Sequence, residues 1–271
     1  MKFDIVIGNP PYNNDLYLDF VQLGYKLSSK YTIMITPAKW QAKGGEKNEA
    51  FRKNIVPRMS AIVYYPVSQD IFNIQLQGGV AYYLMGKNVI TNKTLNVICT
   101  TNENISADND HTDGKLIYST NVQNIINKVS GNNKLNYSGN DLTKQFVIGI
   151  TNVFVGGGFL SKKTGDTLML ISPYKQIGTV KKNADTTLLC SFDTEAEADS
   201  YISYLNTRLI RFLFFVACCG MHLNNDFSWR FVPDPGAFDH IFTDDELYKK
   251  YGLSQEEINI IESVIKERKQ K

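Results

Sequence analysis

The chain opens with short apolar, β-branched runs that alternate with stretches whose apolar residues recur every three or four positions. Residues 3–7 (Phe-Asp-Ile-Val-Ile) form such a run, and Gly8-Asn9-Pro10-Pro11 stops it. This predicts a buried strand. Over residues 15–29, Leu16, Phe20, Leu23 and Leu27 fall at helical spacing and predict an amphipathic helix. Residues 31–36 predict a second strand, ended by Pro37, and residues 46–55 a helix that stops before Pro57. Residues 61–65 and 80–85 predict two more strands, the last preceded by Gly78-Gly79. Strands alternating with helices argue for an α/β architecture with a parallel sheet.

The texture changes near residue 90, so we expect a boundary there, with domains at 1–92 and 93–271. Residues 91–140 are polar, with one helix expected over 122–129. Short β-like runs follow at 146–150, 167–171 and 187–192. A long helix is expected over 194–215. Thr194 with Glu197 forms a capping box at its start, in which each side chain can satisfy the other's backbone N–H. Residues 231–235 (Phe-Val-Pro-Asp-Pro) read as a rigid loop. Helices are expected over 243–251 and 254–269, the second opened by the capping box of Ser254 and Glu257. Gly156-Gly157-Gly158 does not open a βαβ unit and reads as a loop.

Composition narrows the possibilities. The 271 residues are 43% hydrophobic and 21% charged, which excludes wholesale disorder and a coiled coil. No apolar stretch reaches 18 residues; the most apolar window, 209–219, contains Arg211. The N-terminus lacks the pattern of a signal peptide, because Asp4 interrupts it. Cys99, Cys190, Cys218 and Cys219 form no C-x-x-C pair, and His111, His222 and His240 are far apart. No zinc site or disulfide framework is expected, and a cytoplasmic location fits. Net charge is only +2, but residues 142–182 carry six lysines against Asp166 alone. That stretch is the best electrostatic footprint for a polyanion.

The candidate chemistry lies at Asn9-Pro10-Pro11-Tyr12. Ligands of open α/β sheets bind outside the carboxyl ends of the strands, and this tetrapeptide follows such a strand. The prolines stiffen the loop and remove backbone donors while keeping carbonyl acceptors. An Asn amide oxygen, a proline carbonyl and an aromatic ring suit an exocyclic amine on a planar heterocycle. An ordinary Pro-containing turn is the plainer alternative.

The segment from Phe3 to Tyr12 resembles the catalytic segment of the gamma-class N6-adenine DNA methyltransferases of restriction-modification systems. Thr36-Pro37-Ala38-Lys39-Trp40, Gly44-Gly45 and Phe51-Arg52 are similar to the family's next strand and helix. Asp70-Ile71-Phe72 and Gly78-Gly79-Val80 are similar to a later segment. The tail from Leu247 to Ile258 resembles the end of a target-recognition region. The resemblance implies the C-terminal half of a Rossmann-like methyltransferase sheet followed by a mixed α/β target-recognition domain.

It implies that Asn9 and the Pro10 carbonyl accept hydrogen bonds from N6 of a flipped adenine, with Pro11 and Tyr12 completing the catalytic set. Tyr12 would stack on the base, and Phe72 would edge it or simply pack in the core. The base must leave the stack for N6 to meet a methyl donor in line. The implied donor is S-adenosylmethionine and the implied partner double-stranded DNA. Lys162, Lys163, Lys181 and Lys182 would meet phosphates or form a solvated surface. Arg230, beside Trp229, would reach DNA or brace its domain.

One departure stands out. In the family the glycine-rich donor loop lies upstream of the Asn-Pro-Pro-Tyr segment, whereas here eight residues precede Asn9. The expectation is a chain without its donor-binding half, exposing a strand edge at residues 3–7. Three readings follow: a methyltransferase completed by a second polypeptide, a truncated remnant, or a non-catalytic DNA-binding specificity subunit. No Asp…Glu-x-Lys nuclease cluster is apparent.

Overall fold

The fold is described from a computed structural model, which places residues 2–41, 43–65, 68, 71–74, 76, 78–89, 93–98, 103–108, 120–131, 133–135, 142–151, 173–178, 186–217, 228–265 and 267. The chain divides into two compact units, Met1–Gln123 and Asn124–Lys271.

The first unit is built on a six-stranded sheet: β1 (Phe3–Gly8), β2 (Ser28–Pro37), β3 (Met59–Tyr65), β4 (Val80–Gly86), β5 (Lys93–Ile98) and β6 (Glu103–Asp108). The spatial order is β1-β2-β4-β3-β5-β6. β1 and β2 run parallel, linked by α1 (Leu16–Leu27), and β3 runs parallel to β5. β4 lies antiparallel between β2 and β3. The sheet is therefore mixed, a correction to the parallel sheet expected. An apolar run carries no information about strand direction. Among the described residues of the link from β3 to β4 there is no crossover helix, and the chain returns antiparallel.

α1 and α2 (Glu46–Ile55) cover one face of this sheet. Tyr17, Leu18 and Val21 of α1 and Phe51 and Ile55 of α2 are buried with Met34 of β2, Ile62 of β3 and Tyr83 and Met85 of β4. Two strands were missed in sequence. β5 and β6 form an antiparallel pair that extends the sheet past residue 92. Their polar composition masks a weak alternation, with Leu95 and Val97 on one strand and Ile105 and Ala107 on the other. The division into units thus falls later than residue 92.

In the second unit β7 (Phe146–Thr151) is the centre of a three-stranded antiparallel sheet, between β8 (Pro173–Ile177) and β9 (Thr186–Phe192). The helices are α3 (Thr120–Val129, which begins just before the division), α4 (Glu195–Asn206), α5 (Arg208–Ala217), α6 (Asp244–Lys250) and α7 (Gln255–Val264). Both capping boxes form as read, Thr194 with Glu197 and Ser254 with Glu257. Tyr201, Tyr204, Phe238 and Phe242 stack edge to face beneath α4.

The single long helix expected over 194–215 is two helices, α4 and α5. Thr207 breaks it with an extended backbone, φ −60° and ψ 150°. The Asp244 carboxylate accepts from the N–H groups of Arg208 (2.6 Å) and Leu209 (3.4 Å), and so caps the second helix. Thr207 adds a local cap, its Oγ1 accepting from the Ile210 N–H (3.4 Å), but the apolar stripe running through the break hid it in sequence. The run 167–171 and the triple glycine lie outside the described residues.

Candidate active site

The carboxyl end of β1 leads directly into Asn9-Pro10-Pro11-Tyr12. Asn9 and Pro11 are exposed and Pro10 is buried. Tyr12 is half-buried, and its hydroxyl is enclosed with no hydrogen-bond partner among the described residues. Burial pushes its phenol above the ordinary value. The neighbouring Tyr83 is fully buried, and its hydroxyl lies 3.3 Å from Thr36 Oγ1. Burial raises the Tyr83 phenol strongly, Thr36 opposes this, and Tyr12 adds to it. The hydroxyl end of Tyr12 is thus anchored inward, beside the core.

Two residues past Tyr12 the backbone turns left-handed at Asn14 (φ 41°) and Asp15 (φ 66°). Such conformations cost about 1–3 kcal/mol each outside glycine, and Asn and Asp tolerate them best. The Asp15 carboxylate explains how the turn is held. Lys39 Nζ lies 3.2 Å from Oδ1, Lys43 Nζ donates to Oδ2, and Asn48 Nδ2 donates to Oδ2 at 3.4 Å. Burial raises the carboxyl's pKa, but the hydrogen bonds and charges of Lys43 and Lys39 outweigh it and hold the group below the usual carboxylate range.

This latch yields a prediction. Asp15→Asn should cost about 2 kcal/mol of stability at neutral pH, as expected when one partner of a partly buried ion pair is removed. The folded pKa is depressed, so the stabilisation is complete above about pH 4 and fades as pH falls through the lower folded value. Urea denaturation of both proteins across that range checks it. Parallel loss of stability in wild type and variant would refute the latch.

Lys39 and Lys43 sit on the segment that follows β2. This is a 3-10 turn, Ala38–Gln41, and it is braced from two sides. Arg52 of α2 is buried and donates to the carbonyls of Trp40 (2.6 Å) and Lys43 (2.7 Å). The Trp40 ring packs on Phe51 (5.3 Å) and edge-on to Tyr83 (5.8 Å). Ala38 N–H donates to the Gly79 carbonyl (3.0 Å), and Tyr64 Oη to the Gly78 carbonyl (3.1 Å). Gly78 and Gly79 both have positive φ, 76° and 71°, which a side chain would strain. Trp40 Nε1, Gln41 Nε2 and Asn48 Oδ1 are buried here without partners among the described residues.

Phe72 lies in the β3–β4 connection, at the same end of the sheet as Asn9. It is half-buried, and its N–H donates to the Ser68 carbonyl (2.8 Å). Ser68 Oγ donates to the Ile74 carbonyl (2.9 Å) and accepts from Leu76 N–H (2.8 Å), tying the loop together. Asn9, Tyr12, Trp40, Gly79 and Phe72 therefore converge on one rim, where β1, β2 and β3 end and β4 begins.

Sequence reasoning quoted Arg52 and Lys39 without giving them a role, and it missed Asp15, Lys43, Asn48 and Ser68. The run Asn13-Asn14-Asp15 was a turn signal that could have pointed to the left-handed pair.

Other candidates lie elsewhere. Arg230 Nη1 donates to the Ala217 carbonyl (2.7 Å), and its guanidinium stacks on Phe231 at 4.4 Å. Trp229 is buried edge-on to Phe214. Lys162, Lys163, Lys181 and Lys182 fall outside the described residues. The two described lysines of the basic stretch are both neutralised: Lys144 pairs with Asp193, and Lys175 with Glu195 and Asp199. Among the described residues no group of His, Cys, Asp and Glu is placed to hold a metal ion. No described helix is long and apolar enough to cross a membrane.

Comparison with known proteins gives these features a setting. Residues 1–72 match the family model of the Eco57I restriction-modification methylase. An uncharacterized adenine-specific methylase of Mycoplasma pneumoniae is 30% identical over 115 residues, 34% of this chain. The chain spans only 27% of that relative's length. Among solved structures, the type I restriction-modification methyltransferase subunit of Streptococcus thermophilus overlaps 38% of this chain and 29% of its own, at 18% identity and a TM-score of 0.29. The type I restriction enzyme EcoKI M protein overlaps 65% of this chain and 40% of its own, at 15% identity and a TM-score of 0.29. The chain is thus similar through residues 1–72 to restriction-modification methylases, and through a 115-residue stretch to an adenine-specific methylase.

Proposed function

We propose that the chain carries the catalytic loop of a gamma-type adenine-N6 DNA methyltransferase of a restriction-modification system. The observation that carries this reading is the placement of Asn9-Pro10-Pro11-Tyr12. The tetrapeptide ends a parallel strand, lies inside the segment that matches the methylase family, and faces the rim that holds Phe72. In this reading the exposed Asn9 amide oxygen and the Pro10 carbonyl each accept one N–H of the target amino group. Both acceptors favour loss of an amino proton as the new bond to N6 forms, because each strengthens as charge develops on nitrogen. The Tyr12 ring, fixed by its buried hydroxyl end, offers a face for the extruded base, and Phe72 closes on it from the β3–β4 loop.

S-adenosylmethionine supplies the methyl group when bound. The described residues do not fit it as its binders. β1 is the outer strand of the sheet, and the acid on it, Asp4, is engaged by Lys30 and Ser29. In this reading the donor site lies outside the described residues, on a further segment or a second polypeptide, and the second unit, Asn124–Lys271, takes up target recognition on double-stranded DNA. A non-catalytic specificity subunit is the alternative, and product analysis separates the two. The chain, alone and mixed with the remaining part of the Mycoplasma pneumoniae relative, is incubated with donor and DNA lacking modified bases. The digest is then read by mass spectrometry. N6-methyladenine is the expected product; methylated cytosine, or no methylated base, overturns the reading.

The basic stretch makes a second prediction. Replacing both Lys162 and Lys163 by alanine should lower the slope of log affinity against log salt by about two, as for two lost phosphate contacts. A fluorescence anisotropy titration at several salt concentrations measures it. An unchanged slope places those lysines away from DNA.

A further inference from the structure

Asp15 stands at the N-terminal cap of α1, where an aspartate ordinarily accepts from the free N–H groups of its own helix. Its side chain makes no such bond. The carboxylate, on a residue only 8% exposed, turns instead to the segment after β2. Lys39 meets Oδ1, and Lys43 and Asn48 donate to Oδ2. A local cap would stabilise α1 alone. A tie to Lys43, 28 residues along the chain, fixes the loop before α1 against another element. Two ammonium groups reach one carboxylate from two points of that segment, so the tie sets direction as well as distance.

Asp15 is also where the loop is held. Among the described residues, the side chains of residues 9–15 reach the rest of the fold by hydrogen bond or ion pair at Asp15 alone. The left-handed pair Asn14 and Asp15 sets the direction in which the chain leaves Tyr12 for α1. Two successive residues at positive φ persist only where their surroundings hold them. The anchor itself is firm. Arg52 donates to the Trp40 and Lys43 carbonyls, and Ala38 N–H donates to the Gly79 carbonyl of the β3–β4 connection, which carries Phe72. Tyr12 and Phe72 are thus both referred to the turn Ala38–Gln41, the first of them through Asp15.

We propose that Asp15 is a positioning residue for the methyl transfer. Through Lys39 and Lys43 it fixes the loop of residues 9–12 against the turn after β2, so that a base stacked on Tyr12 presents its amino group to Asn9 and the Pro10 carbonyl. Asp15 touches neither the base nor the donor and acts only through the loop. The inference deepens the functional reading and rests on it for the reaction that the loop serves. Misplacing reacting groups by about 1 Å is enough to cost about 10²-fold in rate. A loosened latch therefore lowers turnover in a protein that is still folded and still binds duplex.

The test uses the whole chain and three substitutions. Asp15→Asn keeps the shape and tolerates the left-handed backbone, Lys43→Met keeps the stem without the charge, and Lys43→Arg keeps the charge. All are compared at a temperature where circular dichroism shows each fully folded. Hydrogen exchange at residues 12–16 should quicken about tenfold or more in Asp15→Asn and Lys43→Met, with β1 and β2 unchanged. Single-turnover methylation, in the mixture that tests the functional reading, should fall about 10²-fold in both, with duplex affinity within roughly threefold of wild type. Lys43→Arg should recover most of the lost rate. A residue serving stability alone would leave the rate of the folded protein where it was. Variant rates within roughly threefold of wild type therefore overturn the proposal and leave the functional reading standing. A loss confined to duplex affinity does the same, by assigning the lysines to DNA. Unchanged exchange in the loop also overturns it. No N6-methyladenine from the wild-type mixture removes the functional reading, and the positioning role with it.

Discussion

Asn9→Ala is expected to lower the rate of adenine methylation by about 10²–10³-fold while changing DNA affinity less than threefold. The asymmetry follows from where Asn9 sits. Its side chain is exposed at the end of β1 and is held in no hydrogen bond among the described residues, so its removal leaves the fold intact. In the proposed mechanism the lost acceptor matters most when charge develops on the amino nitrogen. The deficit should therefore fall on kcat more than on KM. Asn9→Asp is the informative companion: it keeps an acceptor in place, so it should retain more activity than alanine. Single-turnover methylation on a saturating concentration of duplex measures both. An alanine variant within tenfold of wild type would remove Asn9 from the chemistry.

The second large effect is structural. Arg52→Ala should destabilise the first unit by about 3–4 kcal/mol and lower its melting temperature by roughly 15–25 °C. The Arg52 side chain is fully buried and joins α2 to the carbonyls of Trp40 and Lys43. Truncation leaves those carbonyls without a charged donor and opens a void beneath the turn that bears Lys39 and Lys43. Arg52→Lys should recover only part of the loss, because one ammonium replaces a planar fork whose geometry spans two acceptors. Differential scanning calorimetry provides the measurement. A loss below 1 kcal/mol in the alanine variant would show that the guanidinium is dispensable to the turn.

These two residues also mark how far the sequence could be read. The place of Asn9 at the end of a strand was legible because a β-branched run stopped by glycine and two prolines is a local signal. The capping boxes at Thr194 and Ser254 were legible for the same reason, since each lies within four residues. What escaped was set by partners far along the chain. The role of Arg52 depends on carbonyls in the turn after β2. The break at Thr207 is held in part by Asp244, 36 residues from Arg208. The antiparallel sense of β4 depends on its neighbours, and β5 and β6 are polar strands recruited by pairing. Periodicity reports which face of an element meets the core, not what closes over it.

The latch on Asp15 carries a consequence for the growing chain. Its two lysines arrive with the turn after β2, and Lys43 lies 28 residues further along than the carboxylate it holds. Emergence of Asn9 from the ribosome therefore does not organise the loop around it. Until synthesis passes Lys43 and the turn folds back, the left-handed pair at Asn14 and Asp15 has nothing to offset its strain, and the loop samples other conformations. Order at the candidate catalytic loop is thus timed by elongation: it sets only after the next strand and turn are complete.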